Sequence, residues 1–161
     1  FMRLMHELDT DEVVRTLRGV VATIVASTTF SGVNFLFSDG IRLYGYRLGI
    51  FELHWCTRPG MAMVASEAMT DEPWHSLQQD VLLTLDPDNP EEVQAERLIG
   101  DMLLETAHIQ PLEPDASLRG EERGLWAAKR AAQVAGLRAG LDGRHAPPLG
   151  TSATLRTGAS R

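Results

Sequence analysis

Between Val33 and Leu85 turn residues cut the chain into short apolar runs, and this punctuation restricts the fold more than any other feature. Val33–Phe37 stops at Ser38-Asp39-Gly40, and Ile41–Arg47 follows. Two β-prone runs joined by a short glycine-containing loop read as a hairpin, because glycine reaches positive φ without strain. Phe51–Thr57 comes next, then Arg58-Pro59-Gly60, then Met61–Ala65. Proline presets the first turn position and glycine supplies the permissive one. Val81–Leu85 closes the series at Asp86-Pro87-Asp88-Asn89. These runs predict an antiparallel meander. Parity puts Phe35, Phe37, Ile41 and Leu43 on one face, and Leu36, Tyr44 and Tyr46 on the other. A sheet with one wet face alternates with charge more cleanly. Both faces should therefore be covered at least in part, in a layered α+β body.

Helical spacing appears before this region. Val13, Val14, Leu17, Val20, Val21, Ile24 and Val25 share one face, with Arg15 and Arg18 opposite. Asp9 and Glu12 resemble a capping box. Phe1, Leu4, Met5 and Leu8 also follow a helical stripe, but no capping residue precedes Phe1. That predicts a helix cut near its start, with polypeptide upstream. A short scar before Met2 is the plainer alternative. Ala68–Gln79 is polar and irregular. After Asn89, Pro90-Glu91-Glu92 reads as a helix start, with proline at its first position and acids in its first turn. Val93, Leu98, Ile99, Met102 and Leu103 would be its stripe. Gln110–Asp115 reads as a linker, and Leu118–Leu141 as an Ala-rich helix with Leu125, Trp126, Val134 and Leu137 on its apolar face. From Gly143 the chain is rich in Pro, Gly, Ser, Thr and Arg, which predicts disorder. The chain thus divides into residues 1–88, a helical extension over 89–141 and a disordered tail over 142–161.

Charge and cysteine usage exclude several functions. The formal charge of −7, with no basic run, argues against binding a nucleic-acid backbone. One cysteine, Cys56, rules out an intramolecular disulfide and a multi-cysteine zinc site. It suits a reducing, cytoplasmic compartment. No apolar run approaches the ~18 residues of a membrane span. The five histidines are scattered and form no metal-ligand spacing, and no nucleotide-binding glycine motif occurs. No metal, cofactor, nucleic-acid or membrane partner is expected.

Four segments carry a resemblance: SDGIRLYGYR at 38–47, LHW at 53–55, VASEAMTDEPW at 64–74 and LLTLDPDN at 82–89. Together they resemble the second half of a class II glutamine amidotransferase domain, of the small bacterial stand-alone type. The similarity spans roughly residues 1–88, and VASE with TDEPW is its most specific part. It implies half of a four-layer αββα sandwich with an N-terminal nucleophile. It also implies glutamine or a γ-glutamyl amide as substrate.

Such chemistry needs a nucleophile whose own α-amine is the base, so the nucleophile must be the first residue of the mature chain. Phe1 cannot serve. The family's arginine for the substrate carboxylate, its Asn-Gly oxyanion hole and its aspartate for the amine all belong to the first half. No residue here matches them, so no catalytic residue is assigned and the chain alone should be inactive. Cys56 lies inside a strand and reads as core. Ser66 and Glu67, at the end of a family central strand, are the substrate-proximal candidates; a terminating serine and a solvated glutamate are the bland alternative. Arg47, Asp71 and Glu72 have weaker claims. Trp74 reads as a loop anchor. A sheet face bearing Leu36, Tyr44 and Tyr46 needs cover, from a missing N-terminal half, a second copy or the Leu118–Leu141 helix. The other functional class is a non-catalytic binding or assembly module that keeps the amidotransferase scaffold.

Overall fold

In the computed structural model residues 9–100, 103, 107–110, 117, 119–142 and 153–156 are described, with 136–142 and 153–156 described by backbone alone. The expected helix at Phe1–Leu8, the linker core at 111–116 and most of the tail lie outside these residues.

Helix α1, Thr10–Ser27, buries Val13, Val14, Val21 and Val25. Asp9 sits at its N-cap, where its carbonyl accepts the amides of Glu12 and Val13. Its side chain makes no cap hydrogen bond, so the capping box is not formed. Asp11 and Glu12 still oppose the positive end of the helix dipole. Val20 is 52% exposed and falls beside the buried stripe rather than on it.

The helix covers one face of a five-stranded antiparallel sheet. Its strands are β1 (Phe35–Ser38), β2 (Leu43–Arg47), β6 (Val81–Leu85), β7 (Glu92–Arg97) and β8 (Ala153–Arg156), adjacent in that order. The expected β1–β2 hairpin is present. Its registers pair Phe35 with Tyr46 and Phe37 with Tyr44, so odd residues of β1 share a face with even residues of β2. The paired rings lie 5.3 and 5.9 Å apart. This corrects the parity assignment, because the Asp39–Arg42 loop reverses the count. Tyr44 and Tyr46 are fully buried under α1 with Val21, Val25, Leu48 and Leu82. The face expected to need a partner is thus already covered, and Leu36 alone of the three residues named is exposed.

A second, three-stranded sheet covers the opposite face, in the order β4 (Met61–Ala65), β3 (His54–Arg58), β5 (His75–Ser76). The run is therefore not a simple meander. After β2 the chain leaves the large sheet, builds the small one, and returns as β6 beside β2. Leu53, Trp55 and Leu77 from this excursion pack against Val81, Leu83, Leu85, Val93 and Ala95. β6 lies between the two packed layers, so all five residues of Val-Leu-Leu-Thr-Leu are buried.

The helix expected from Pro90 is instead β7, paired with β6 over five residues. Val93 and Ala95 point into the core while Gln94 is exposed, and this two-residue alternation overrides the proline and acidic signals. The loop before it is closed by the Asn89 amide on the Asp86 carbonyl (3.1 Å) and the Asp88 amide on the Asp86 carboxylate (3.0 Å). β8 lies within the stretch expected to be disordered and pairs with β7. The second helix, α2, spans Gly120–Asp142. Val134 packs with Ile50 and Ile109, while Leu125 is 67% exposed and off the apolar face assigned to it. Arg130 lies 5.4 Å from the Phe51 ring and 5.3 Å from the Trp126 ring, which fastens α2 beside the crossover between the sheets.

Candidate functional site

Strand β4 ends at Ala65, and the chain then runs through an irregular loop to Trp74. Met69, Thr70, Asp71 and Glu72 line an open groove of about 590 Å³ there. The Trp74 indole donates to the Thr70 hydroxyl at 3.1 Å, and Arg58 from β3 pairs with Glu72 at 3.0 Å. The Trp74 contact closes the loop on itself, and the Arg58–Glu72 pair is what ties the loop to β3. The Thr70 hydroxyl, a backbone amide and Arg58 together hold the Glu72 carboxyl below its ordinary range. Asp71 is exposed in the same wall. The groove therefore presents the side chain of Asp71 and the Arg58-paired carboxylate of Glu72 beside the exposed thioether of Met69.

Ser66 and Glu67 stand exposed where β4 gives way to this loop. They adjoin the groove in sequence but are not among its lining residues. Asp71 and Glu72, with weaker claims from sequence, are. Arg47 is elsewhere in function. Its guanidinium donates to the Phe51 carbonyl and the Ser76 hydroxyl, each at 3.1 Å, and to the Leu77 carbonyl. Burial lowers its pKa, partly offset by Glu52. It is a staple between the large sheet and the loop that feeds the small one.

Cys56 is 1% exposed. Burial first, and the field of Glu72 second, push its thiol up, with Arg58 opposing. A thiol held protonated is a poor nucleophile, and the core assignment follows. His54 lies 3.1 Å from Glu52, and His75 stacks on Trp55 at 4.7 Å. Among the described residues no group of three or more His, Cys, Asp and Glu is placed to hold a metal ion. Among them, too, no helix is long and apolar enough to cross a membrane.

Two polar centres escaped the sequence reading. Asp80 is fully buried at φ 59°. Its carboxylate accepts the Tyr46 hydroxyl (3.1 Å), the amides of Ile99 and Gly100 (2.9 Å each), and lies 3.4 Å from Arg97. Its own amide donates to the Arg47 carbonyl at 2.8 Å. Burial and the neighbouring Asp80 charge raise the Tyr46 pKa. Asp80 thus ties β2, the start of β6 and the end of β7 together. The second centre is Gln79, whose amide group accepts from the Gly49 N–H (2.8 Å) and donates to the Gly49 carbonyl (2.9 Å). The only sequence sign was a polar Gln-Asp pair directly before a strand whose one polar residue is Thr84.

No family model, curated protein or solved structure matches the chain.

Proposed function

We propose that this chain is the part of a class II glutamine amidotransferase domain that follows the nucleophile, built as half of an αββα sandwich. The supporting observation is the layer order. Helix α1, a five-stranded antiparallel sheet and a three-stranded antiparallel sheet stack face to face, with the VASE segment ending a strand of the inner pair of layers. The parent reaction is hydrolysis of a γ-glutamyl amide. A thiolate attacks the amide carbon, the oxyanion is held by N–H donors, ammonia leaves, and water cleaves the thioester. The nucleophile and the oxyanion donors have no counterpart here. This chain would supply a wall, where Asp71 and Glu72 suit the ammonium group of a glutamine better than its carboxylate. A cytoplasmic location accompanies this reading, because the thioester chemistry requires a free cysteine.

The reading frame upstream of Phe1 tests it. It is expected to encode a cysteine directly after the initiator Met, and the polypeptide starting there should release ammonia from glutamine. Residues 1–161 alone should not. A longer polypeptide without that cysteine, or with it and inert, would refute the proposal. The second reading, a non-catalytic binding or assembly module on the same scaffold, would then lead. It is favoured by the structural use of Arg47 and Cys56, which leaves neither for chemistry.

A further inference from the structure

Strands β4 and β5 both pair antiparallel with β3, so they run parallel to each other on its two sides. Residues 66–74 join them and must therefore cross β3. The crossing has two faces to choose from. One carries Trp55, Ala62 and Val64 and is packed against the large sheet. The other, by strand alternation, carries His54, Cys56 and Arg58 from β3 with Met63 and Ala65 from β4. β4 ends at Ala65, the register partner of His54, and β5 starts at His75, the partner of Trp55. Between these points the segment reaches the far end of β3, where Glu72 pairs with Arg58 at 3.0 Å. Cys56 lies midway along that path. It is 1% exposed although it faces away from the large sheet, and it feels the charge of Glu72. The crossing segment is what covers it.

We propose that residues 66–74 form a strap that opens and closes over the outer face of the small sheet, latched by the Arg58–Glu72 pair, while the strands beneath stay paired. This inference rests on the crossing segment and is independent of the amidotransferase reading. Three observations support it. No residue of the strap is buried, and only Glu72 and Trp74 are part-buried, so little apolar contact holds it down. Segments so sparsely packed lie at the low end of local stability. The latch is an ion pair whose side chains are 46% and 28% exposed, which closes the strap without fixing it. The strap also has a closure of its own, the Trp74 indole on the Thr70 hydroxyl, so it moves as a unit. The described residues lining the groove, Met69, Thr70, Asp71 and Glu72, all belong to the strap. Opening therefore dismantles the groove and bares Cys56 in one motion.

Cys56 is the only cysteine of the chain, so its alkylation by iodoacetamide under native conditions reads the opening. Glu72→Gln and Arg58→Gln each release the latch, and each should speed alkylation about two- to five-fold, the range of one exposed ion pair. The two variants together separate motion from electrostatics. Glu72 raises the Cys56 pKa and Arg58 lowers it, so a change of field alone would speed the reaction in the first variant and slow it in the second. Added salt weakens the same latch in the wild type without any substitution, and should also speed alkylation. Amide exchange along β3, followed in the same samples, should not change, which also shows that both variants are folded. Opposite effects of the two substitutions would overturn the proposal. So would alkylation that keeps step with β3 exchange, since the sheet itself would then be coming apart. A Cys56 that reacts only on global unfolding in all three chains would overturn it as well.

Discussion

Gly49 shows how tightly single residues constrain this fold. It sits at φ 116°, where a Cβ would lie 2.4 Å from the Gly32 Cα and 2.5 Å from the Ser31 carbonyl. Both obstacles are backbone and cannot turn aside. Gly49→Ala should therefore cost about 3 kcal/mol or more, adding overpacking to left-handed strain. Gly40→Ala, at φ 94° in open space, meets only the strain and should cost about 1 kcal/mol. Urea melts of the pair read the difference. Asp39 supplies the pH dependence. Burial acts to raise its pKa, but the amides of Arg42 and Ile41 and the Tyr44 hydroxyl outweigh it and hold the carboxyl below its usual 3.8. A lowered folded pKa gives stability that is complete above the unfolded value and is lost as pH falls toward the folded one. Asp39→Asn should lose about 1–2 kcal/mol at neutral pH and show a shallower acid limb in thermal melts. The punctuation Ser38-Asp39-Gly40 announced this turn from sequence. Asp80 was not legible in the same way, because its ligands Tyr46, Ile99 and Gly100 come from distant positions and only the folded sheet assembles them.

Periodicity at the level of elements succeeded where one period was present and failed where two competed. α1 repeats at helical spacing and formed as expected, apart from Val20 at its margin. Adjacent positions test that face. Val21→Asp buries a carboxylate without a partner and should unfold the body, at a cost of several kcal/mol, while Val20→Asp should leave the melting temperature nearly unchanged. In β7, by contrast, Pro90 and two acids mimicked a helix start. The two-residue alternation of Val93 and Ala95 decided the outcome because β6 offered an unpaired edge. α2 was legible as a helix, but not its docking, which depends on Arg130 meeting Phe51 from another element. Arg130→Ala should speed amide exchange across α2 without lowering the protection of β6, since among the described residues Val134 and Arg130 are what hold the helix to the body.

At the scale of the whole molecule, both hairpins could be read from the chain, but not that they lie in different sheets. Strand strings carry no information on which strand returns to which, and the pairing of β2 with β6 is settled only by burying both faces of β6. The candidate site was half legible. VASE and TDEPW flank the loop that carries the groove, yet the groove formed on Met69–Glu72 rather than on Ser66 and Glu67, because the Trp74–Thr70 and Arg58–Glu72 contacts shape it. The excursion that builds the small sheet has a consequence for how the molecule opens. It leaves at Arg47 and comes back at Val81, and those two residues are partners in the same ladder. Its two feet stand side by side, so the segment between them can detach without parting β2 from β6. The small sheet should therefore behave as a separate foldon, whose β3 and β4 amides exchange together and before those of β6 in mild denaturant. What such a breath uncovers is the apolar flank of Val81, Leu83, Leu85 and Val93, so the route to aggregation begins at a hinge between two cross-strand partners.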